Sequence, residues 1–174
     1  MKKNTKGFTL IELLIVIALL GALAVGLLAA LDPFEQLKKG TDTGIRNTVS
    51  EVHGAVIRYY GIRNEMPWYT VSSAITMPVT NLSSGYTAVG LPQIISSGEL
   101  KSDFSTLAAG QLKDITIAGG SDSVTVCFKP TSKSFRTDQN TKYDPSSLTD
   151  KGTNDTTHCG NPADDTFSCL WCVR

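Results

Sequence analysis

The chain has 174 residues, enough for one ordinary domain with an appendage and too few for two full-sized domains. Its 16 Lys plus Arg balance 16 Asp plus Glu, so no net positive field is available to hold nucleic acid, which argues against a dedicated DNA- or RNA-binding protein. The 41% apolar content is unevenly spread: residues 8–31 carry no polar side chain other than Thr9 and Glu12, and that excludes a soluble cytoplasmic protein.

Lys2, Lys3 and Lys6 precede this run and no acid accompanies them. The positive-inside bias predicts a cytoplasmic amino terminus and an extracytoplasmic remainder. A cleaved secretory signal and a membrane anchor both begin this way, and length separates them. Residues 13–31 are free of charge, close to the ~20 residues a spanning helix needs and longer than the ~7 to 15 of a signal-peptide core. With no small-residue cleavage site leading to a polar start inside the run, an uncleaved span is expected.

Glu12 does not suit a plain anchor, because a carboxylate in a lipid-facing helix costs roughly 2.5 to 3.5 kcal/mol at mid-bilayer, though less near the interface. One alternative is a side chain that snorkels to the headgroups. The stretch Lys6-Gly7-Phe8-Thr9-Leu10-Ile11-Glu12 closely resembles the processing motif of type IV prepilins and the related pseudopilins. The resemblance implies that a membrane-embedded prepilin peptidase cuts after Gly7 and that the new amino terminus, Phe8, is methylated. It also implies that Glu12 neutralises the Phe8 amine of a neighbouring subunit during assembly. Removal of residues 1–7 would lower Lys plus Arg from 16 to 13 against an unchanged 16 acids.

Beyond the membrane, Ile45, Val49, Val52, Val56 and Tyr59 recur at steps of four, three, four and three, which is helical period. One long helix over residues 8–60 is therefore predicted, its first half apolar all round and surrounded by lipid or by other copies, its second half amphipathic. Pro33 lacks the amide its turn requires, and Gly40 and Gly44 weaken the helix by about 1 kcal/mol each relative to Ala, so a bend or local melting is expected there. The resemblance points the same way. Ala22, Gly26 and Ala30, and the pair Gly40 and Gly44, also place small residues one turn apart, as close helix approach requires. His53 reads as a satisfied or exposed helix residue and not a metal ligand. Gly61, after Tyr59 and Tyr60, is the expected terminator, and the run to Pro67 looks like a pilin helix-to-loop junction.

From residue 62 on, Ser- and Thr-rich stretches alternate with short apolar runs, an α+β texture. Residues 91–107, with Pro92 near the start, predict one short helix; residues 112–118, 123–129 and 166–173 predict strands of a small antiparallel sheet. Gly119-Gly120 signals a tight turn between the first two strands. Residues 138–165 read as a long, solvated acidic loop. Some pseudopilins bind calcium in a comparable loop, but no EF-hand spacing is present.

Cys127, Cys159, Cys169 and Cys172 all fall in the extracytoplasmic part, where disulfides are the default. Three pairings are open, and Cys169 with Cys172 is disfavoured because residues three apart in a strand face opposite ways. A zinc site lacks a second paired spacing, and a thiol oxidoreductase lacks the helix that would activate Cys169. Asn81 and Asn154 match the glycosylation pattern without deciding anything. Neither His53 nor His158 assembles with a Ser and an acid into a catalytic set, and no phosphate-binding loop is present. No enzyme activity and no cofactor are expected.

The fold class expected is α+β, pilin-like: a leader (1–7), a transmembrane and filament-core helix (8–31), its amphipathic continuation (32–60) and an extracytoplasmic head (61–174). The function expected is that of a structural subunit of a helical filament built from copies of itself. Its partners would be the inner membrane, the prepilin peptidase and the pilus assembly machinery. A pseudopilin of a type II secretion or DNA-uptake system, or a monomeric membrane-anchored binding module, are the alternatives.

Overall fold

The computed structural model describes residues 7–30, 32–72, 76–152 and 155–174. The leader lysines Lys2, Lys3 and Lys6, together with Leu31 and Asn154, lie outside the described residues. The chain divides into two compact units, Met1–Leu37 and Lys38–Arg174.

The first unit is dominated by helix α1, Leu10–Ala30. Its stretch Leu10–Leu28 is long and apolar enough to cross a membrane, and its 19 residues at about 1.5 Å rise reach about 28 Å, close to the ~30 Å hydrocarbon core. Side chains over residues 10–28 are exposed within the chain, which agrees with a helix that is apolar on every side and has no internal core to cover it.

Helix α2, Pro33–Arg63, follows, so the interruption expected at Pro33 is present, as a new helix start beside non-helical Asp32. Asp32 caps α2: its Oδ1 accepts the amides of Phe34 and Glu35, each at 3.2 Å, and its carbonyl accepts the amide of Gln36 at 3.3 Å. Pro33 is thus the first helical residue, where its missing donor is not required and its fixed φ suits the helix. Gly40 and Gly44 are both helical, so no melting is seen at either. The helix also runs past Gly61 and stops at Asn64, which takes a left-handed φ of 56° and donates its amide to the Tyr60 carbonyl at 2.7 Å. Asn can adopt that conformation through local hydrogen bonding, so it ends the helix where Gly61 was expected to.

In the second unit a five-stranded antiparallel sheet is built from β1 (Met77–Asn81), β2 (Ile115–Gly119), β3 (Val124–Phe128), β4 (Thr141–Tyr143) and β5 (Leu170–Val173), in the order β1-β2-β3-β5-β4. Alternation sends Ile115, Ile117, Val126, Phe128 and Trp171 into one core with Ile45, Val49, Val52, Val56 and Tyr59 of α2. The opposite face holds Cys127 and Cys172 with Tyr143, Leu148 and Leu170.

The central hairpin is as expected, with Gly120 donating to the Ser123 carbonyl at 2.8 Å across its loop. Gly119 has a different reason to be glycine: a Cβ there would stand 2.5 Å from the buried Trp68 ring. The predicted helix over 91–107 is instead two short pieces, α4 (Leu91–Ser96) and α5 (Phe104–Leu107), followed by α6 (Ala109–Leu112); α3 at Pro67–Ser72 lies ahead of β1. The acidic loop is also not merely solvated. It contributes β4 and α8 (Thr156–Cys159), while α7 (Lys133–Arg136) lies just ahead of it. The strand expected over 166–173 shortens to β5.

Candidate processing and assembly site

Residues 7–9 precede α1 without regular structure. Gly7 meets nothing within 4 Å of the place its Cβ would take, and Phe8 is 82% exposed. The Gly7–Phe8 peptide bond therefore lies in accessible, non-helical backbone at the mouth of a helix. A peptidase can close around such a bond without first unwinding α1, whereas a bond one turn later would be held in the helix.

Thr9 and Glu12 build that helix start. The Thr9 amide and hydroxyl both donate to Glu12 Oε2, at 2.8 and 2.7 Å, and the Glu12 amide donates back to Thr9 Oγ1 at 3.3 Å. This is a reciprocal capping box, Thr at the cap and Glu three residues later, which satisfies two otherwise orphaned amides. A negative group in the first turn is also favoured by the helix dipole. Thr9 is a residue the motif reading passed over, although the Thr-x-x-Glu spacing ahead of an apolar run is itself the signal. Cleavage after Gly7 would create an ammonium at Phe8, close to the positive end of the same helix. Glu12 is the only acidic side chain between residues 8 and 31, so it is the one group of this segment able to offset that charge.

Gly7, Phe8 and Glu12 thus belong together at the start of α1. Gly21 and Gly26 both open on empty space. Gly44 is half-buried beside the Gln111 side chain, its would-be Cβ 3.4 Å from Nε2.

The four cysteines belong to the second unit and form two disulfides, Cys127–Cys172 and Cys159–Cys169. Cys127 and Cys172 are direct register partners across β3 and β5, with Cα atoms 4.1 Å apart. The Cys172 amide is turned the other way, to the Asn140 carbonyl at 3.1 Å, as in a narrow, non-hydrogen-bonded pair where facing side chains meet. The second bridge closes a ten-residue separation and forms a small cluster with Phe167.

The acidic residues downstream are taken up by local structure. Asp138 accepts the Trp171 indole N–H at 3.1 Å, and Asp150 pairs with Lys142 at 2.7 Å. Asp155 caps α8 and holds His158 Nδ1 at 2.5 Å. The Ser146 hydroxyl and amide, with those of Ser147, hold the Asp144 carboxyl down at about 2. His53 is half-buried, and its Nε2 makes no hydrogen bond among the described residues.

Asp42 was missed altogether by sequence reading. It is fully buried on α2 and accepts the amide and hydroxyl of Thr131, at 3.0 and 2.8 Å, and those of Ser132, at 2.7 and 2.6 Å. Nothing in the sequence near Asp42 announces partners 89 and 90 positions away.

Residues 2–28 match the family described as the prokaryotic N-terminal methylation motif. No curated protein and no solved structure matches the chain. The matched segment, with the non-helical Gly7–Phe8 junction ahead of α1 and Glu12 in its first turn, is accordingly a prepilin signal of the type IV pilin and pseudopilin kind, on a pilin-like α+β architecture.

Proposed function

We propose that this chain is a structural, non-catalytic subunit of a type IV pilus-like filament, made as a membrane-anchored precursor, cleaved after Gly7 and methylated at Phe8. The observation that carries the reading is the matched motif at an accessible Gly7–Phe8 bond, followed at once by an apolar helix exposed on all sides. Before assembly that helix is covered by lipid, and after it by copies of itself. Head-to-tail contacts that do not close then extend into a helical filament.

Glu12 links the two states. Its carboxylate is satisfied locally by Thr9 in the single chain, and the processed Phe8 amine of an adjacent copy supplies the countercharge during assembly. Two charges that are costly apart in an apolar core become one pair. Two variants separate charge from helix capping. Glu12→Gln keeps a capping side chain and loses the charge, while Glu12→Leu loses both. Both should insert and be processed, and both should abolish or greatly reduce sheared filaments relative to wild type at equal membrane levels. Normal filament yield from Glu12→Gln would show that only the cap matters and would sink the charge-docking mechanism.

A further inference from the structure

The first two turns of α2 carry an exposed amphipathic face outside the processing segment. No described side chain over residues 33–41 is buried; the first buried one in α2 is Asp42. Phe34 is 73% and Leu37 69% exposed. Phe34, Leu37 and Lys38 stand three and four residues apart, so they share one side of the helix, while Lys39, the next residue, projects from the flank beside Lys38. Asp32 holds this turn helical through the Phe34 and Glu35 amides, which keeps the apolar pair together on one face.

Their place in the chain identifies the occupant. The apolar span ends at Leu28, and only five residues separate Leu28 from Phe34, so Phe34 is tethered close to the headgroup layer. An aromatic ring and a leucine followed by two lysines match that layer chemically. The ring and alkyl groups reach the acyl boundary while the ammonium groups, on flexible apolar stems, reach phosphate oxygens. We propose that Phe34, Leu37, Lys38 and Lys39 form a phospholipid-contact surface that seats the precursor at the outer face of its membrane, with the lysines bound to headgroup phosphates. This surface would hold the start of α2 on the bilayer until the subunit is withdrawn, and it would be given up on assembly.

The test uses the full chain in phosphatidylcholine vesicles, with Phe34→Trp read by fluorescence quenching. Wild type supplies the background, since Trp68 and Trp171 are both buried in the head. The added emission of Phe34→Trp should be quenched by lipid brominated near the top of its acyl chains and little by lipid brominated near the chain ends. Adding Lys38→Ser and Lys39→Ser should weaken the shallow quenching. Leu19→Trp, within the span, should be quenched chiefly by the deep bromines. If Leu19→Trp is quenched and Phe34→Trp is not, the lipid surface is refuted while the spanning reading stands; if neither is quenched, both fall. Shielding of the position 34 indole that appears only at high protein-to-lipid ratio would assign the surface to a second copy and overturn the proposal. Quenching unchanged by the lysine substitutions would refute the phosphate contacts.

Discussion

At Asp42 a carboxyl group is buried among donors that only a carboxyl can match: two backbone amides and two hydroxyls of Thr131 and Ser132. Asp42→Asn turns an N–H toward those donors, and the buried mismatch should lower head stability by roughly 2 to 3 kcal/mol. Urea unfolding of the full chain in detergent, followed through the buried Trp68 and Trp171, measures this. A loss below about 0.5 kcal/mol, the range of ordinary surface substitutions, would contradict the assignment. His53 makes the opposite kind of statement. Burial pushes its imidazole below the ordinary 6.5, so the unfolded chain takes up the proton first. Stability should therefore fall as pH drops through 6.5 and level off below the folded value. Thermal melts from pH about 8 to about 5 should show that decline in wild type and a smaller one in His53→Leu.

Among the elements, the start of α2 shows where reading a chain by local rules succeeds and where it misleads. The period of Ile45, Val49, Val52, Val56 and Tyr59 was legible because one side of α2 faces a sheet, and burial imposes that spacing. The break expected at Pro33 is there, but as a helix start and not a bend, because a proline inside an apolar-periodic stretch and a proline at the first turn of a new helix differ only in whether the preceding residue caps. Asp32→Ala should thus cost about 1 kcal/mol of local helix stability, whereas Pro33→Ala should change it by a few tenths. Amide exchange at Phe34, Glu35 and Gln36 reports it. A gain of about 3 kcal/mol in Pro33→Ala would mean that the proline sits mid-helix after all. The hairpin strands β2 and β3 were legible from their β-branched runs, but β1 and β4 were not. β1 contains Pro78 and a register irregularity, and β4 has three residues in a polar segment, so neither carries enough alternation to register. The cysteine pairing depends on β5 inserting between β3 and β4, a long-range choice that spacing alone does not encode.

Taken whole, the molecule has an exposed apolar helix in one unit and, in the other, a head with its own core and two disulfides. That division explains why the amino-terminal motif was legible from a short run of residues, whereas the head was legible only in its local elements. Gly7, Phe8 and Glu12 lie within a few residues of one another, and the matched motif covers residues 2–28 alone. The head's architecture rests on contacts such as Asp42 with Ser132 and Cys127 with Cys172, which join positions far apart in the chain. On the proposed function, the chain is cut between Gly7 and Phe8 and modified at the new amino terminus. Intact-mass spectrometry of the subunit recovered from the producing cell tests it most directly. The expected mass is lower by residues 1–7 and higher by one methyl group on the Phe8 amine, with both disulfides intact. A mature subunit that retains Met1, or one cut elsewhere in residues 8–31, would contradict it.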